Sequence, residues 1–221
     1  MTSRYDMYAV RYPLLPLKNV VIFPRNVVTL LVGKVRSIQS IEAAMSRDRR
    51  IVVVAHRDPQ VDDPTPDDLY DTGTLAEIVS IEHQQGGNIQ VALEGLHRVR
   101  IIQSELQGSF YKVRAEQAVE SPVAGPETQA LVAHIQQLAT SYQELKNAFS
   151  RDVYDMIQAT TDPSHLADVL TTQLIRDAGQ RQQRAGAEPR QHDLEQEPPV
   201  HHAAFPPAMR RDSSPTSPAP R

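Results

Sequence analysis

Cysteine is absent from the 221 residues, which removes disulfides, thiol nucleophiles and thiolate metal sites together and fits a reducing compartment. Tryptophan is absent too, and aromatic residues make up only 5% of the chain. Nothing between Met1 and Leu17 has the apolar run of a signal peptide, and no stretch approaches the roughly 20 apolar residues that span a bilayer. The sequence therefore predicts a cytoplasmic protein without membrane contact. No Gly-x-x-x-x-Gly-Lys-Ser/Thr loop is present to cradle nucleotide phosphates. The eight histidines (56, 83, 97, 134, 165, 192, 201, 202) include no pair at i, i+3 or i+4, so neither a helical metal site nor a His-Glu-x-x-His motif is available. With no nucleophile elbow or comparable local motif, a non-catalytic chain without cofactor or metal is expected.

Positive charge is also scarce where it would matter for nucleic acid. Residues 176–221 carry seven arginines and six acids, which leaves the body with 16 basic against 21 acidic residues, a net of −5. An acidic body is a poor phosphate binder.

What is present begins with Tyr12-Pro-Leu-Leu-Pro-Leu-Lys-Asn-Val-Val-Ile-Phe-Pro24, where prolines 13, 16 and 24 argue against a central ladder strand. Two short β segments, Leu14–Leu17 and Val20–Phe23, are expected here, followed by a third over Val27–Val32. Lys34–Arg47 places Val35, Ile38, Ile41, Ala44 and Met45 at helical spacing. Ile51–Ala55 is a continuous apolar run of mostly β-branched residues, the pattern of a strand buried on both faces. The acidic stretch Arg57–Asp71 is broken by prolines 59, 64 and 66, and Pro66 is placed to open a helical turn carrying Leu69 and Tyr70 inward. Its five aspartates between 62 and 71 lack the alternation, central Gly and distal Glu of a calcium loop, which favours a solvated loop.

Gly73–Glu82 and Asn88–Glu94, joined through Gly86-Gly87, read as a hairpin. Gly95–Arg98 is expected to break the second strand before another, Val99–Leu106, turns near Gly108-Ser109 into Phe110–Val119. Residues 10–120 thus read as a β-barrel with one inserted helix. Ser121–Pro126 forms a boundary. A helical bundle is expected over 126–178: a long helix with Leu131, Ile135, Leu138, Tyr142, Leu145 and Phe149 on one stripe, a short one over Asp152–Ala159, and a third begun at Pro163 and capped by Asp162. Eight prolines and few apolar residues after Gly186 predict a disordered tail, which the loss of periodicity starts at 179 and runs to 221.

Five collinear pieces resemble the N-terminal domain of the Lon ATP-dependent protease family: Pro13 through Pro24, Ser37–Met45, Asp58–Tyr70, Gly73–Ile78 and Glu94-Gly-Leu-His-Arg-Val99. The resemblance runs from residue 12 to about 183. It implies an α+β fold, a PUA-like antiparallel β pseudo-barrel followed by a small helical bundle. It also implies substrate recognition for protein quality control and proteolysis, with unfolded or tagged polypeptides as partners, alongside full-length Lon subunits or further copies of this chain. The ATPase module and the Ser-Lys protease domain of such proteins have no counterpart here. Two accounts fit: a stand-alone substrate-binding domain with a natural tail, and a truncated or frame-shifted Lon, which the abrupt change of pattern at Arg184 favours.

An exposed apolar groove that accepts segments of unfolded protein is the physical expectation for such a module. Tyr12, Leu14, Phe23 and Pro24 are the candidate contacts, with Lys34 and Arg36 available to acidic clients. PUA-like barrels also serve RNA, which makes an RNA-binding module the alternative. The acidic body and missing tryptophan count against it.

Overall fold

The apolar run at Ile51–Ala55 lies at the centre of the protein. In the computed structural model, which describes residues 10–118, 125–175 and 178–186, it forms strand β3 (Arg50–Ala55), and Ile51 through Ala55 are all buried. Successive strand residues point to opposite faces. Ile51 and Val53 therefore join one apolar cluster, with Leu15, Ile41, Ile78, Val91 and Leu93, while Val52 and Val54 join a second, with Leu14, Leu75, Val99 and Val113. Helix α1 (Val35–Met45) covers the first cluster through Ile41 and Ala44. Val35, expected on its apolar stripe, is exposed.

β1 (Arg11–Leu17) lies beside β3, parallel to it, and on its other side meets β6 (Phe110–Gln117). The prolines did not exclude a central position. β1 pairs with β6 along Arg11–Pro13 and with β3 along Leu14–Leu17, so each proline lies where one side of the strand carries no ladder and a missing N–H there is harmless. The second expected segment, Val20–Phe23, is not a strand. It follows a turn with Asn19 at φ 60° and precedes Arg25 at φ 65°. It is held instead by Thr74 Oγ1, which donates to the Ile22 carbonyl at 2.6 Å, and by backbone bonds from Arg25 N to Gly95 O (2.7 Å) and from Gly95 N to Asn26 O (3.0 Å).

The hairpin joins β4 (Thr72–His83) to β5 (Ile89–Gln107) through Gly86 and Gly87, both at positive φ. The break expected at Gly95–Arg98 is a bulge. Ala76 faces Gly95 and Leu75 faces His97, which leaves Leu96 as the extra residue. A second bulge lies between Ile101 and Gln103. With these two bends, one 19-residue strand pairs with β4 over its first part and β6 over its second. The six strands run β2-β5-β4-β3-β1-β6, and the β5–β6 pairing closes the sheet into a pseudo-barrel, with β2 (Val27–Val32) attached to β5 alone. All pairings are antiparallel except β1–β3.

Three helices form a third apolar cluster: α2 (Pro126–Lys146), α3 (Arg151–Ala159) and α4 (Pro163–Leu174). Ser150 caps α3, and the Asp162 carboxylate accepts from the Ser164 and His165 amides at the start of α4. Only part of the expected stripe packs: Ile135, and Phe149 beyond the end of α2, join the cluster. Val132, Ala139 and half-buried Ile135 point inward, whereas Leu131, Leu138, Tyr142 and Leu145 are exposed. The tail boundary also moves, because residues 178–186 form helix α5 (Ala178–Gly186). There Ala185 is buried, and Gln182 Nε2 donates to the Thr72 carbonyl at 2.6 Å. The rest of the expected tail, 187–221, lies outside the described residues, as does most of the expected boundary at 121–126.

Candidate functional site

The six residues singled out in the sequence do not form one surface. Leu14 and Phe23 are each 1% exposed, and an atom sealed in the core cannot meet a client. Leu14 belongs to the second apolar cluster, and Phe23 lies under the Arg98 guanidinium, 5.8 Å from the ring centroid. Short, proline-bearing segments were expected to leave such side chains outside. The crossing at 22–26 instead folds inward because its carbonyls are bonded to β4 and β5. Tyr12 and Pro24 are half-buried.

Lys34 and Arg36 reach the surface at the start of α1, and the acidic loop is drawn onto them. Arg36 pairs with Asp63 at 2.8 Å and sits 5.4 Å from the centroid of the Tyr111 ring. Lys34 donates to the Asp62 carbonyl, while Lys18 lies 3.5 Å from the Asp62 carboxylate. The loop aspartates are thereby distributed among separate partners. Asp71 pairs with Arg57 at 3.1 Å, and Asp68 closes a capping box with Thr65 that holds its carboxyl below the ordinary range. Among the described residues no three His, Asp or Glu side chains converge on a possible metal position.

His56 lies buried at the root of this loop with its Nδ1 unbonded among the described residues. Burial, then the Lys34 and Lys18 charges, lower its pKa, so the ring is neutral at pH 7. The expected turn at Pro66–Asp68 is present as a single 3₁₀ turn and does carry Leu69 inward. An open cleft of about 310 Å³ lies beside it, with Tyr70 and Ile102 among its apolar walls and Asp67, Asp71, Gln103 and Ser104 supplying polar groups. Such a cleft is shaped for a protruding side chain more than for an enclosed small molecule.

The residues that sequence reasoning missed are on β2. Val27 is 62% and Leu31 68% exposed on the outer face, while Val28, Leu30 and Val32 turn toward the first apolar cluster. The alternation was visible in Val27–Val32, but which face is covered depends on a partner strand paired from Val27/Glu94 to Val32/Ile89, far away in sequence.

A closed, bulged sheet with one inserted helix and an appended helical bundle defines a domain of the Lon N-terminal type. The solved N-terminal domain of the Mycobacterium avium complex Lon protease superposes with a TM-score of 0.63 over 79% of this chain and 88% of its own, at 21% identity. The family described as the ATP-dependent protease La (LON) substrate-binding domain matches residues 11–183, and the chain belongs to that family. The Lon protease of Desulforamulus reducens is 35% identical over 162 residues, and that of Escherichia coli 31% identical over 165 residues. These alignments take in 73% and 75% of this chain, which spans about a fifth of the length of either relative.

Proposed function

We propose that this domain recognises unfolded or tagged polypeptide segments for Lon-type proteolysis in the cytoplasm, and carries out no chemistry of its own. The observation that carries the reading is the coincidence of the substrate-binding family match, residues 11–183, with the barrel, the bundle and most of α5. Exposed apolar side chains on β2 and α2 supply the sticky surface such a role needs. The half-buried Tyr12, Pro24 and Arg36 and the exposed Lys34 remain contact candidates, whereas Leu14 and Phe23 act as core. Unfolding energy and peptide-bond cleavage fall in this reading to ATPase and protease modules of Lon subunits, which are the domain's partners along with the client.

The test is fluorescence anisotropy with a permanently unfolded probe, reduced and carbamidomethylated ribonuclease, against the same protein in its native fold. Saturable binding to the unfolded form alone is the expected result. No binding, or equal binding to both, would refute the proposal.

A further inference from the structure

Edge strands invite pairing, and proteins commonly blunt them with lysine, proline, bulges or covering elements. Among the described residues β2 has none of these. Its sequence is Val-Val-Thr-Leu-Leu-Val, its register against β5 is unbroken from Val27/Glu94 to Val32/Ile89, and no described strand pairs with its far side.

The direction of its free backbone groups follows from two hydrogen bonds. In an antiparallel pair, bonded and non-bonded residue pairs alternate. Gly95 N donates to Asn26 O at 3.0 Å, which makes Asn26/Gly95 a bonded position and passes the bonds on to Val28, Leu30 and Val32. On the opposite edge of β5, Gln84 N donates to Asn88 O at 2.9 Å, so Gln90 and Ala92 bond toward β4. Both observations give the same phase. The N–H and C=O groups of Val27, Thr29 and Leu31 therefore point away from β5, and these are also the residues whose side chains are exposed.

We infer that β2 takes up a segment of unfolded polypeptide as an added β-strand. The client's backbone pairs with Val27, Thr29 and Leu31, and its apolar side chains, at every second position, lie against Val27 and Leu31. The inference rests on the reading of this domain as a recognition module and specifies how the client is held. Backbone pairing suits clients that share no sequence, because every extended segment offers the same donors and acceptors. The neighbouring surface selects for charge. Glu94 lies across from Val27, Glu77 is next to it on β4 with Arg50 facing it from β3, and Glu82 lies further along β4 opposite Gln90. These carboxylates lie one strand or more beyond β2 from the client, so they bias the position beside Val27 toward lysine or arginine by a screened, longer-range attraction.

The experiment uses the full chain and the unfolded ribonuclease probe. Thr29→Pro removes one N–H from the free edge and leaves the β2–β5 ladder whole. Loss of that bond and the steric bar to pairing predict affinity lower by roughly five- to tenfold. Leu31→Lys, which places a natural edge-blocking charge on an exposed position, lowers it similarly without needing a proline to be accommodated. Hydrogen exchange on the unmodified protein gives a signature independent of either variant. On binding, the amides of Val27, Thr29 and Leu31 exchange at least several-fold more slowly, while Val28 and Leu30, already bonded, hardly change. Undiminished binding by both variants, or protection without this period of two, overturns the inference and leaves the recognition reading standing. Failure of the unmodified chain to bind the probe overturns both. The same alternating protection arising without probe and growing with protein concentration shows β2 paired with a second copy, and also overturns it.

Discussion

Gly95 is where the stability of this barrel is most sharply exposed to a single methyl group. A Cβ built there lies 2.2 Å from the Phe23 carbonyl oxygen and 2.9 Å from its carbon, whereas ordinary contact begins near 3.4 Å. Gly95→Ala therefore requires the crossing at 22–26 to retreat by about 1.2 Å. That crossing is held by the Arg25–Gly95 and Gly95–Asn26 backbone bonds and by the buried bond from Thr74 to the Ile22 carbonyl. A net hydrogen bond contributes about 1 kcal/mol, more when a buried partner is stranded, and overpacking adds about 1–3 kcal/mol. The expected loss is about 3–5 kcal/mol, a fall in Tm on the order of 10 °C for a domain of this size. Scanning calorimetry on Gly95→Ala should be set against Gly125→Ala, where the backbone is extended (φ −178°) and no atom of the described residues lies within 4 Å of the added carbon. The control should stay within about 0.5 kcal/mol of the parent. If Gly95→Ala did the same, the crossing would be free to move and its role as a fixed support of the barrel would be refuted.

Three further outcomes are expected. The side chains of Arg98 and Asp168 form an ion pair at 12% and 7% exposure that joins β5 to α4; Asp168→Ala removes this carboxylate from a buried guanidinium and should cost up to about 3–5 kcal/mol by urea denaturation. His56, His97 and His165 are all held below the ordinary histidine value, mainly by burial and secondarily by Lys34 and Lys18, by Arg50, and by Arg25 respectively. The unfolded chain then binds protons first, so stability is full above about pH 6.5 and is lost as pH falls below it toward the depressed folded values; a Tm–pH profile should show this slope, and His56→Gln should flatten it. Ile157→Ala, in the bundle core, should cost about 2–5 kcal/mol in urea denaturation, whereas Leu145→Ala, 80% exposed in the parent, should change stability by less than about 0.5 kcal/mol.

Strand identity was legible wherever local pattern and burial agree. β3 could be read from five consecutive apolar residues because both its faces are covered, and the β4–β5 turn from two glycines that adopt positive φ. The continuity of β5 was not legible. Gly95 suggests a break when read locally, but the residue is there because another segment's carbonyl passes against it, and the strand absorbs the irregularity as a bulge at Leu96. The same long-range contact misdirected the site. Tyr12, Leu14, Phe23 and Pro24 could not all be placed in the core of broken strands, yet Leu14 is sealed within β1 and Phe23 within a crossing at 22–26 that is fixed by bonds to residues about 50 to 70 positions later.

The error on α2 has a different origin and carries more information about function. An apolar stripe of Leu131, Leu138, Tyr142 and Leu145 normally marks the packed face of a helix. Here the packed face is built with glutamines as well as apolar residues. Gln136 Nε2 lies 3.0–3.1 Å from the carbonyls of Ile157, Gln158 and Thr160, where α3 ends, and Gln143 bonds both the N–H and the C=O of Phe149 between α2 and α3. Those backbone groups have no helical partners of their own, so satisfying them outweighs turning the leucines inward. A hydropathy template scores glutamine as solvent-facing and cannot register this exchange. The result is a helix whose richest apolar stripe is left outside for a reason internal to the bundle. Its exposure is therefore set by the need to close α3, and its presence alone does not mark α2 as the client site. On β2 no such competing demand is visible: the unpaired backbone groups and the exposed side chains belong to the same three residues, and both are satisfied by one added strand.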